Sequence, residues 1–494
     1  MRLTASTVIL IMTLLAASLS AACTIGVASG RATADGRPLV WKVRDNAAVP
    51  DNEVYFNDSL TLPFVGVVTA PGLPETSVWM GVNRAGFALV NANANTLVDP
   101  EPSRANGEFM RAALGSCRSV REFIDYLEAT AGLRDVHANF GVIDSTGAAM
   151  LIEADRDSFW TYDADDPAGP GYVVRTNFAC NDTTGTGIDG LPGEERFVRS
   201  TDLVSGWVGV DSLSVATLAG RHARDFSDWA CRPYPLPCFD CGEPDSLHGW
   251  FDTFFSISAG GTVSGAVLQG VATGEPAWLT TMWTHLGQPA CTLALPYWPV
   301  GPAPAVADGE ETAPLCDLAR EVEDHIVFRY RYFTRLVDSF NLIDGEGGGL
   351  WATLLPAEAA MHEVVNERLG WWRQSPPAWS AVLALEDSLA VAAMDVLAPV
   401  LVPAPVMPVA ARLKAYPNPF NPSVTLAFTL PRDGHAQLDV FDLAGRRVAR
   451  VLDESRTAGA HQVVWRPERL ASGVYMGRLT AVGTVSHQRL VLVR

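Results

Sequence analysis

Lysine is almost missing from this chain. Among 494 residues only Lys42 and Lys414 carry an ammonium, and 36 Lys and Arg face 55 Asp and Glu, for a net charge of −19. No basic tract interrupts this acidic balance. Phosphate binding needs Lys and Arg concentrated on one surface, so no nucleic-acid partner is expected. Long apolar runs are also missing: past the first two dozen residues no segment approaches the roughly 20 unbroken apolar residues of a helical membrane span. His137, His222 and His285 stand apart in sequence and read as structural residues, so neither metal nor cofactor is implied.

What is present begins with the leader. Arg2 gives a minimal positive start, residues 8–15 are apolar but too short to span a bilayer, and Ser20-Ala21-Ala22 supplies small residues for signal peptidase. Residues 1–22 are therefore expected to be a signal peptide. Cleavage after Ala22 would make Cys23 the first residue, with a nucleophilic sulfur and a free α-amine on one residue. A lipoprotein signal would use the same cysteine differently, lipidating the sulfur. Such signals favour Leu three residues before the cysteine, whereas here Ser20 holds that place and Leu19 lies one further back. The two fates exclude each other.

Seven cysteines remain once Cys23 is set aside. Cys231, Cys238 and Cys241 crowd a Pro-rich loop, where the C-x-x-C with His248 is a conceivable zinc half-site and a loop disulfide is the expectation in an oxidising compartment. Cys117 and Cys291 lie in apolar settings and read as buried thiols.

The length accommodates two or three folding units. Residues 23–300 read as short strands at 24–28, 39–43, 78–82, 88–92, 140–143, 149–153 and 172–175, with turns at 34–37 and 144–147. Residues 108–129 carry helical spacing with an interruption near Gly115, so a layered α+β core is expected. Residues 313–394 shift to helix: Leu318, Val322, Ile326, Tyr330, Phe333 and Val337 form one apolar stripe, and 357–372 and 379–394 read as two further helices packing on the core. Residues 395–411 read as a linker. From 412 to 494 six strands, at 425–429, 437–442, 447–452, 462–465, 473–479 and 487–493, are spaced as in a small β-sandwich.

Amide cleavage by an N-terminal cysteine needs a thiolate, its own amine as proton shuttle, donors for the tetrahedral oxyanion and charged groups holding the nucleophile. One hairpin downstream of Cys23 lies Trp41-Lys42-Val43-Arg44-Asp45-Asn46. Antiparallel pairing would bring Arg44 and Asp45 beside the sulfur, although a surface salt-bridge cluster at a strand end would share that spacing.

The order of motifs resembles the cysteine N-terminal nucleophile hydrolases, the group of isopenicillin N acyltransferase, choloylglycine hydrolase, penicillin V acylase, acid ceramidase and the secreted cysteine dipeptidases. The likeness is carried by Cys23-Thr24, Ala34-Asp35-Gly36-Arg37-Pro38-Leu39, Arg44-Asp45, Gly81-Val82-Asn83-Arg84-Ala85-Gly86-Phe87, Asn139-Phe140-Gly141-Val142-Ile143-Asp144 with Glu153, Arg175-Thr176-Asn177 and Glu195-Arg196-Phe197-Val198-Arg199. It implies a four-layer αββα sandwich with Cys23 as nucleophile and Asp45 at its α-amine. It also implies Asn177 and Asn91 as oxyanion donors, with Asn93 competing for the second place, and Arg196 near the nucleophile. The family often has Arg-x-x-Asp here; this chain has Lys42 in that arginine's place and Arg44 beside Asp45, so two cations compete. Asn83, Gly81 and Gly86 read as turn residues, and Glu153 and Asp144 as hairpin caps. Trp283, Trp250 and Phe251 read either as walls of an apolar acyl pocket or as packing.

A second resemblance covers the C-terminal segment. Tyr416-Pro417-Asn418-Pro419-Phe420-Asn421-Pro422, Asp442-Leu443-Ala444-Gly445-Arg446-Arg447-Val448 and Leu470-Ala471-Ser472-Gly473-Val474-Tyr475 look like the immunoglobulin-like C-terminal sorting domains of exported bacterial proteins. This implies a non-catalytic module read by an export and sorting machinery. The combined expectation is an exported cysteine amidohydrolase acting on a small amide or peptide, secreted or on the cell surface. An acyltransferase or dipeptidase of the same fold, and a lipidated binding module, remain open beside it.

Overall fold

The computed structural model describes residues 23–46, 48–72, 77–97, 105–181, 187–227, 233–234, 250–253, 255–309, 311–324, 328–331, 334–343, 348–401, 413–430, 433–442, 446–457, 459–467, 470–481 and 484–493. Residues 1–22, expected to be a signal peptide, and the loop of Cys231, Cys238, Cys241 and His248 lie outside them. The chain forms two compact units, Met1–Val402 and Pro403–Arg494.

The first unit is built on two sheets. Ten strands come first: β1 (Cys23–Ala28), β2 (Leu39–Asp45), β3 (Asn52–Asn57), β4 (Phe64–Thr69), β5 (Val78–Asn83), β6 (Ala88–Asn93), β7 (Ala138–Ile143), β8 (Ala149–Ala154), β9 (Phe159–Asp163) and β10 (Tyr172–Arg175). Strands β3 to β9 pair in sequence order as a seven-stranded meander. The other sheet runs β10-β1-β2 and continues through Thr262–Gln269, Thr281–Leu286 and Leu295–Tyr297. Both central strands β1 and β2 are buried along their whole length, as strands covered on both faces must be.

The sheets meet face to face where Val27, Val40 and Val90 crowd around Gly141, leaving no room there for a side chain. Gly26 is likewise obligatory, because the ring of its strand partner Trp41 occupies the space of a Cβ. The turn between β1 and β2 carries Gly36 at φ +75, a conformation glycine adopts without penalty.

Helices cover both outer faces, completing helix–sheet–sheet–helix layers. On the meander's far side, Asn106–Leu114 and Val120–Ala129 pack Phe109 and Phe123 against Phe87 and Phe140. The Val120–Ala129 helix is capped by the Ser119 hydroxyl, which accepts from the Glu122 N–H. On the other sheet lie Glu194–Val208 and the long helices Leu350–Trp372 and Trp379–Leu397. The long pair is pinned by buried polar groups. Glu358 takes both Arg224 Nη1 and Nη2 at 2.7 Å, and the Ala294 N–H; Glu386 accepts from the Trp298 N–H at 2.8 Å. No helix among the described residues is long and apolar enough to cross a membrane.

Three expectations change. The apolar stripe over 318–337 is not one helix: helix ends at Val322, and Phe328–Arg331 pairs with Thr334–Asp338 as a hairpin. Aromatic and β-branched residues fit a pleated surface better than a helix interior, and here that preference wins. Residues 395–397 belong to the last helix, with a short 3₁₀ turn Ala398–Leu401 after it, so the linker starts later than residue 395. Trp283 is sealed within the strand Thr281–Leu286 with its ring 4.3 Å from His362, so it packs the helices onto the sheet rather than lining a pocket. The side chains of Trp250 and Phe251 lie outside the described residues.

The second unit is a β-sandwich of two sheets. One holds Leu413–Tyr416, Val424–Leu430 and Gly459–Trp465; the other holds Arg447–Arg456, Gly434–Phe441, Gly473–Ala481 and Thr484–Leu492. Leu426, Phe428, Leu438, Val440, Leu479 and Leu490 fill the space between them.

Candidate active site

The hairpin geometry puts Cys23 directly opposite Arg44, with Ile25 opposite Lys42. The backbone of Cys23 is held on both sides. Its N–H donates to Asn177 Oδ1 at 2.9 Å, and its carbonyl accepts from Arg196 Nη1 at 2.7 Å. Arg196 also reaches Thr24 Oγ1 at 3.2 Å and Asn177 Oδ1 at 2.8 Å. A guanidinium only donates, so the Asn177 amide must turn its oxygen toward Arg196 and Cys23. Its Nδ2 then donates to the Asn93 carbonyl at 3.1 Å. Five of the six expected residues, Cys23, Arg44, Asp45, Asn177 and Arg196, are thereby brought together around one strand end, and Asn91 joins them through Lys42.

Lys42 is fully enclosed and donates to Asn91 Oδ1 at 2.7 Å and to the Trp79 carbonyl at 3.0 Å. Burial pulls its pKa down to about 8, with Cys23 and Asp45 opposing and Arg44 reinforcing the fall. Arg44 turns elsewhere, donating to Asn52 Oδ1 at 2.7 Å and stacking 4.6 Å over the Trp79 ring, while its Nη2 is buried with no hydrogen-bond partner among the described residues. The Asn93 side chain is occupied by Asn106, whose Nδ2 donates to it at 2.8 Å. Of the two competing asparagines, Asn91 is the one whose side chain is tied to the hairpin of Cys23.

Asp45 is the unusual member. Thr262 Oγ1 donates to its Oδ1, but its Oδ2 is buried with no hydrogen-bond partner among the described residues. Desolvation pushes its pKa up to about 7 against the pull of Arg196, Thr262, Arg44 and Lys42. Asn177, rather than Asp45, meets the Cys23 nitrogen in this structure.

Several supporting residues escape sequence reasoning. Asn139 Nδ2 donates to the Thr176 and Phe178 carbonyls, at 2.9 and 2.8 Å, clamping the chain on either side of Asn177. Glu153 is no hairpin cap: wholly buried, it accepts from Arg175 Nε at 2.7 Å and from the Cys180 and Asn181 N–H groups at 2.7 and 2.9 Å. Residues 139 and 153 are register partners on β7 and β8, so one sheet position fixes the whole Asn177 loop. Asp144 does what its turn suggests, accepting from the Thr146 and Val120 N–H groups. Asn83 accepts from the Ala85 and Phe87 N–H groups in its turn. His222 is sealed against Ser200 at 2.7 Å and burial lowers its pKa to about 3; His285 lies beside Glu358 and falls to about 4. Both are neutral packing residues. Cys117 and Cys291 are both buried. Among the described residues no group of His, Cys, Asp and Glu is placed to hold a metal ion.

Comparison with known proteins bears first on the second unit. The family model of the secretion system C-terminal sorting domain matches residues 414–493. The C-terminal unit is such a sorting domain. The chain is thus an exported protein, secreted or attached to the cell surface. No curated protein matches the sequence. Among solved structures, a mutant conjugated bile acid hydrolase from Clostridium perfringens is similar at 13% identity over 53% of this chain and 89% of that one, with a TM-score of 0.32. The Caenorhabditis elegans ortholog of N-acylethanolamine-hydrolyzing acid amidase is similar at 12% identity, covering 50% of this chain and 92% of its own, with a TM-score of 0.30. Dimeric latent PorU from Porphyromonas gingivalis is similar at 19% identity over 17% of this chain and 9% of its own, with a TM-score of 0.16.

Proposed function

We propose that this exported protein is a cysteine amidohydrolase that cleaves a linear amide bond through a thioester on Cys23. The observation that carries the reading is the convergence on one residue: Asn177 and Arg196 hold the backbone of Cys23 while a neighbouring buried carboxylate oxygen, Asp45 Oδ2, has no hydrogen-bond partner among the described residues. A buried acceptor left empty costs about 1–3 kcal/mol. Release of a neutral α-amine at Cys23 would supply the missing donor, one N–H to Asn177 Oδ1 and another to Asp45 Oδ2, with its lone pair left to take the thiol proton.

The chemistry then runs with few parts. The Cys23 sulfur attacks the carbonyl carbon as its proton passes to the α-amine, and the oxyanion is held by Asn91 Nδ2 together with Asn177 or a backbone N–H. Collapse breaks the C–N bond as the α-ammonium protonates the leaving nitrogen, leaving an acyl thioester. Water, activated by the now neutral amine, hydrolyses it and restores the thiol. The sorting domain takes no part in these steps.

Mass analysis of the exported protein tests the premise. A free Cys23 at the N-terminus is expected, and a lipid on its sulfur would sink the mechanism. N-acyl amino acids, bile-salt conjugates, penicillin V and dipeptides form the substrate panel, and Cys23→Ala should abolish turnover of whichever is cleaved. Full activity in Cys23→Ala would remove the thiol from the reaction.

A further inference from the structure

Lys42 is one of two lysines in the chain, and it is spent inside the site. An ammonium has three N–H donors and no acceptor, so an asparagine facing it must present its oxygen. Lys42 Nζ, 2.7 Å from Asn91 Oδ1 and held from behind by the Trp79 carbonyl at 3.0 Å, removes the two-fold ambiguity of that amide. Among the described residues Asn91 Nδ2 has no hydrogen-bond partner. Strand β6 reaches the nucleophile by a second route, since the Asn93 carbonyl holds Asn177, which holds the Cys23 nitrogen.

We propose that Lys42 is a positioning residue: its ammonium fixes the Asn91 amide with the oxygen inward, so that Nδ2 is presented to the oxyanion formed over Cys23. This divides labour between the two cations, leaving Arg44 to brace Asn52 and Trp79. The inference rests on Cys23 being the nucleophile.

The choice of lysine has a chemical consequence that arginine would not share. A neutral amine carries a lone pair and can accept from Asn91 Nδ2, so loss of the Lys42 proton frees the amide to flip. The groups that bear on that proton are Cys23 from β1 and Arg44 and Asp45 from β2; β5 and β6 present only the neutral Trp79 carbonyl and Asn91. Burial places the loss near pH 8, whereas a guanidinium stays charged there.

Two reactions at the same sulfur separate this role from simple stabilisation of the thiolate. In the full chain beginning at Cys23, p-nitrophenyl butyrate acylates the sulfur through a tetrahedral oxyanion and expels p-nitrophenolate. Iodoacetamide alkylates it at a saturated carbon, expelling iodide with no oxyanion. Lys42→Met should slow acylation about 100-fold, the loss typical of one oxyanion donor, and slow alkylation at least tenfold less than that. Asn91→Ala should slow acylation equally, and the double variant no further. Lys42→Arg should restore acylation and abolish its decline above pH about 8. Equal loss of both reactions in Lys42→Met, or additive losses in the double variant, would overturn the inference and leave the nucleophile standing. Absence of any adduct on Cys23 in the unsubstituted chain, read by mass spectrometry, overturns both.

Discussion

Asp45 in the first unit and Asp439 in the sorting domain are both carboxylates sealed from solvent on β-strands, yet burial wins at one and arginine at the other. Asp45 is raised to about 7, although Arg196, Arg44 and Lys42 all lie close enough to pull it down. The hydrogen bonds these cations make go elsewhere, to the Cys23 carbonyl, Asn52 and Asn91. Asp439 also meets a desolvation penalty, but Arg450 Nε at 2.8 Å and Gln437 Nε2 at 2.6 Å donate to it directly, and it ends below its ordinary value. Charge nearby does not settle ionisation; hydrogen bonds aimed at the carboxylate do. The composition of the units follows the same division. Residues 412–494 carry twelve Lys and Arg against six Asp and Glu, so this segment is net basic and the acidity lies in the remainder of the chain, 24 Lys and Arg against 49 Asp and Glu.

The sharpest way to break this comparison is to neutralise each carboxylate in turn. In the form with Cys23 at the N-terminus, Asp45→Asn should lower kcat on the order of 1000-fold by replacing the charged oxygen that orients the α-amine, within the range of a lost general acid–base contribution. Asp439→Asn should leave kcat within about twofold. Steady-state kinetics on a cleaved substrate checks both, and similar losses in the two would show that Asp45 acts only through stability.

A third carboxylate shows what full satisfaction looks like within the first unit. Glu358 is as deeply buried as Asp45; desolvation pushes it up, but the Arg224 fork and His285 hold it well below the usual range. Glu358→Ala leaves Arg224 charged and unpaired, a loss of about 3–5 kcal/mol in unfolding free energy by denaturant titration. A cost under 1 kcal/mol would mean that the long helices are held by their apolar faces alone.

The contrast between a waiting and a satisfied carboxylate also has a pH signature. With a residue added before Cys23, no α-ammonium exists and Asp45 keeps its raised pKa. The folded state then prefers the protonated acid, so its stability is fully present below pH about 4 and is lost as pH rises through about 7, by at most about 4 kcal/mol. The form beginning at Cys23 should show a flatter profile over that window. Thermal melts of the two forms at intervals from pH 4 to 8 compare them directly.

Much of this was legible before any coordinates. The turn at Gly36, the apolar run after Cys23 and its partner strand were enough to expect Arg44 and Asp45 beside Cys23, because a two-strand hairpin has few registers, and the observed pairing sets Cys23 opposite Arg44. Asn177 and Arg196 were legible only through the resemblance, since they lie more than 150 residues from Cys23. Asn139, Glu153 and Thr262 were illegible for another reason: Asn139 and Glu153 bond from the meander to the chain around Asn177, Thr262 bonds its register partner Asp45 within the other sheet, and such contacts between residues far apart in the chain leave no periodic trace in sequence. Tyr330 misled because it keeps four-residue spacing with Val322, which cannot distinguish a helix face from a strand of the hairpin that Phe328–Arg331 forms with Thr334–Asp338.

The smallest expected effect concerns Asp439, where the partners rather than the acid are open to solvent. Arg450, Arg478 and Arg447 have side chains 37%, 40% and 51% exposed, so water and salt share in neutralising them. Asp439→Asn therefore costs less than its buried position implies. The melting of the sorting domain should fall on the order of 5 °C, and added salt should recover part of it by screening the three arginines from one another. The sign with pH is opposite to that of Asp45: a lowered pKa contributes stability above the unfolded value near 4, lost as pH falls through the folded one. If the substitution instead abolished folding of the domain at neutral pH, Asp439 would be the centre of the sandwich's assembly, and the two carboxylates would differ in rank as well as in sign.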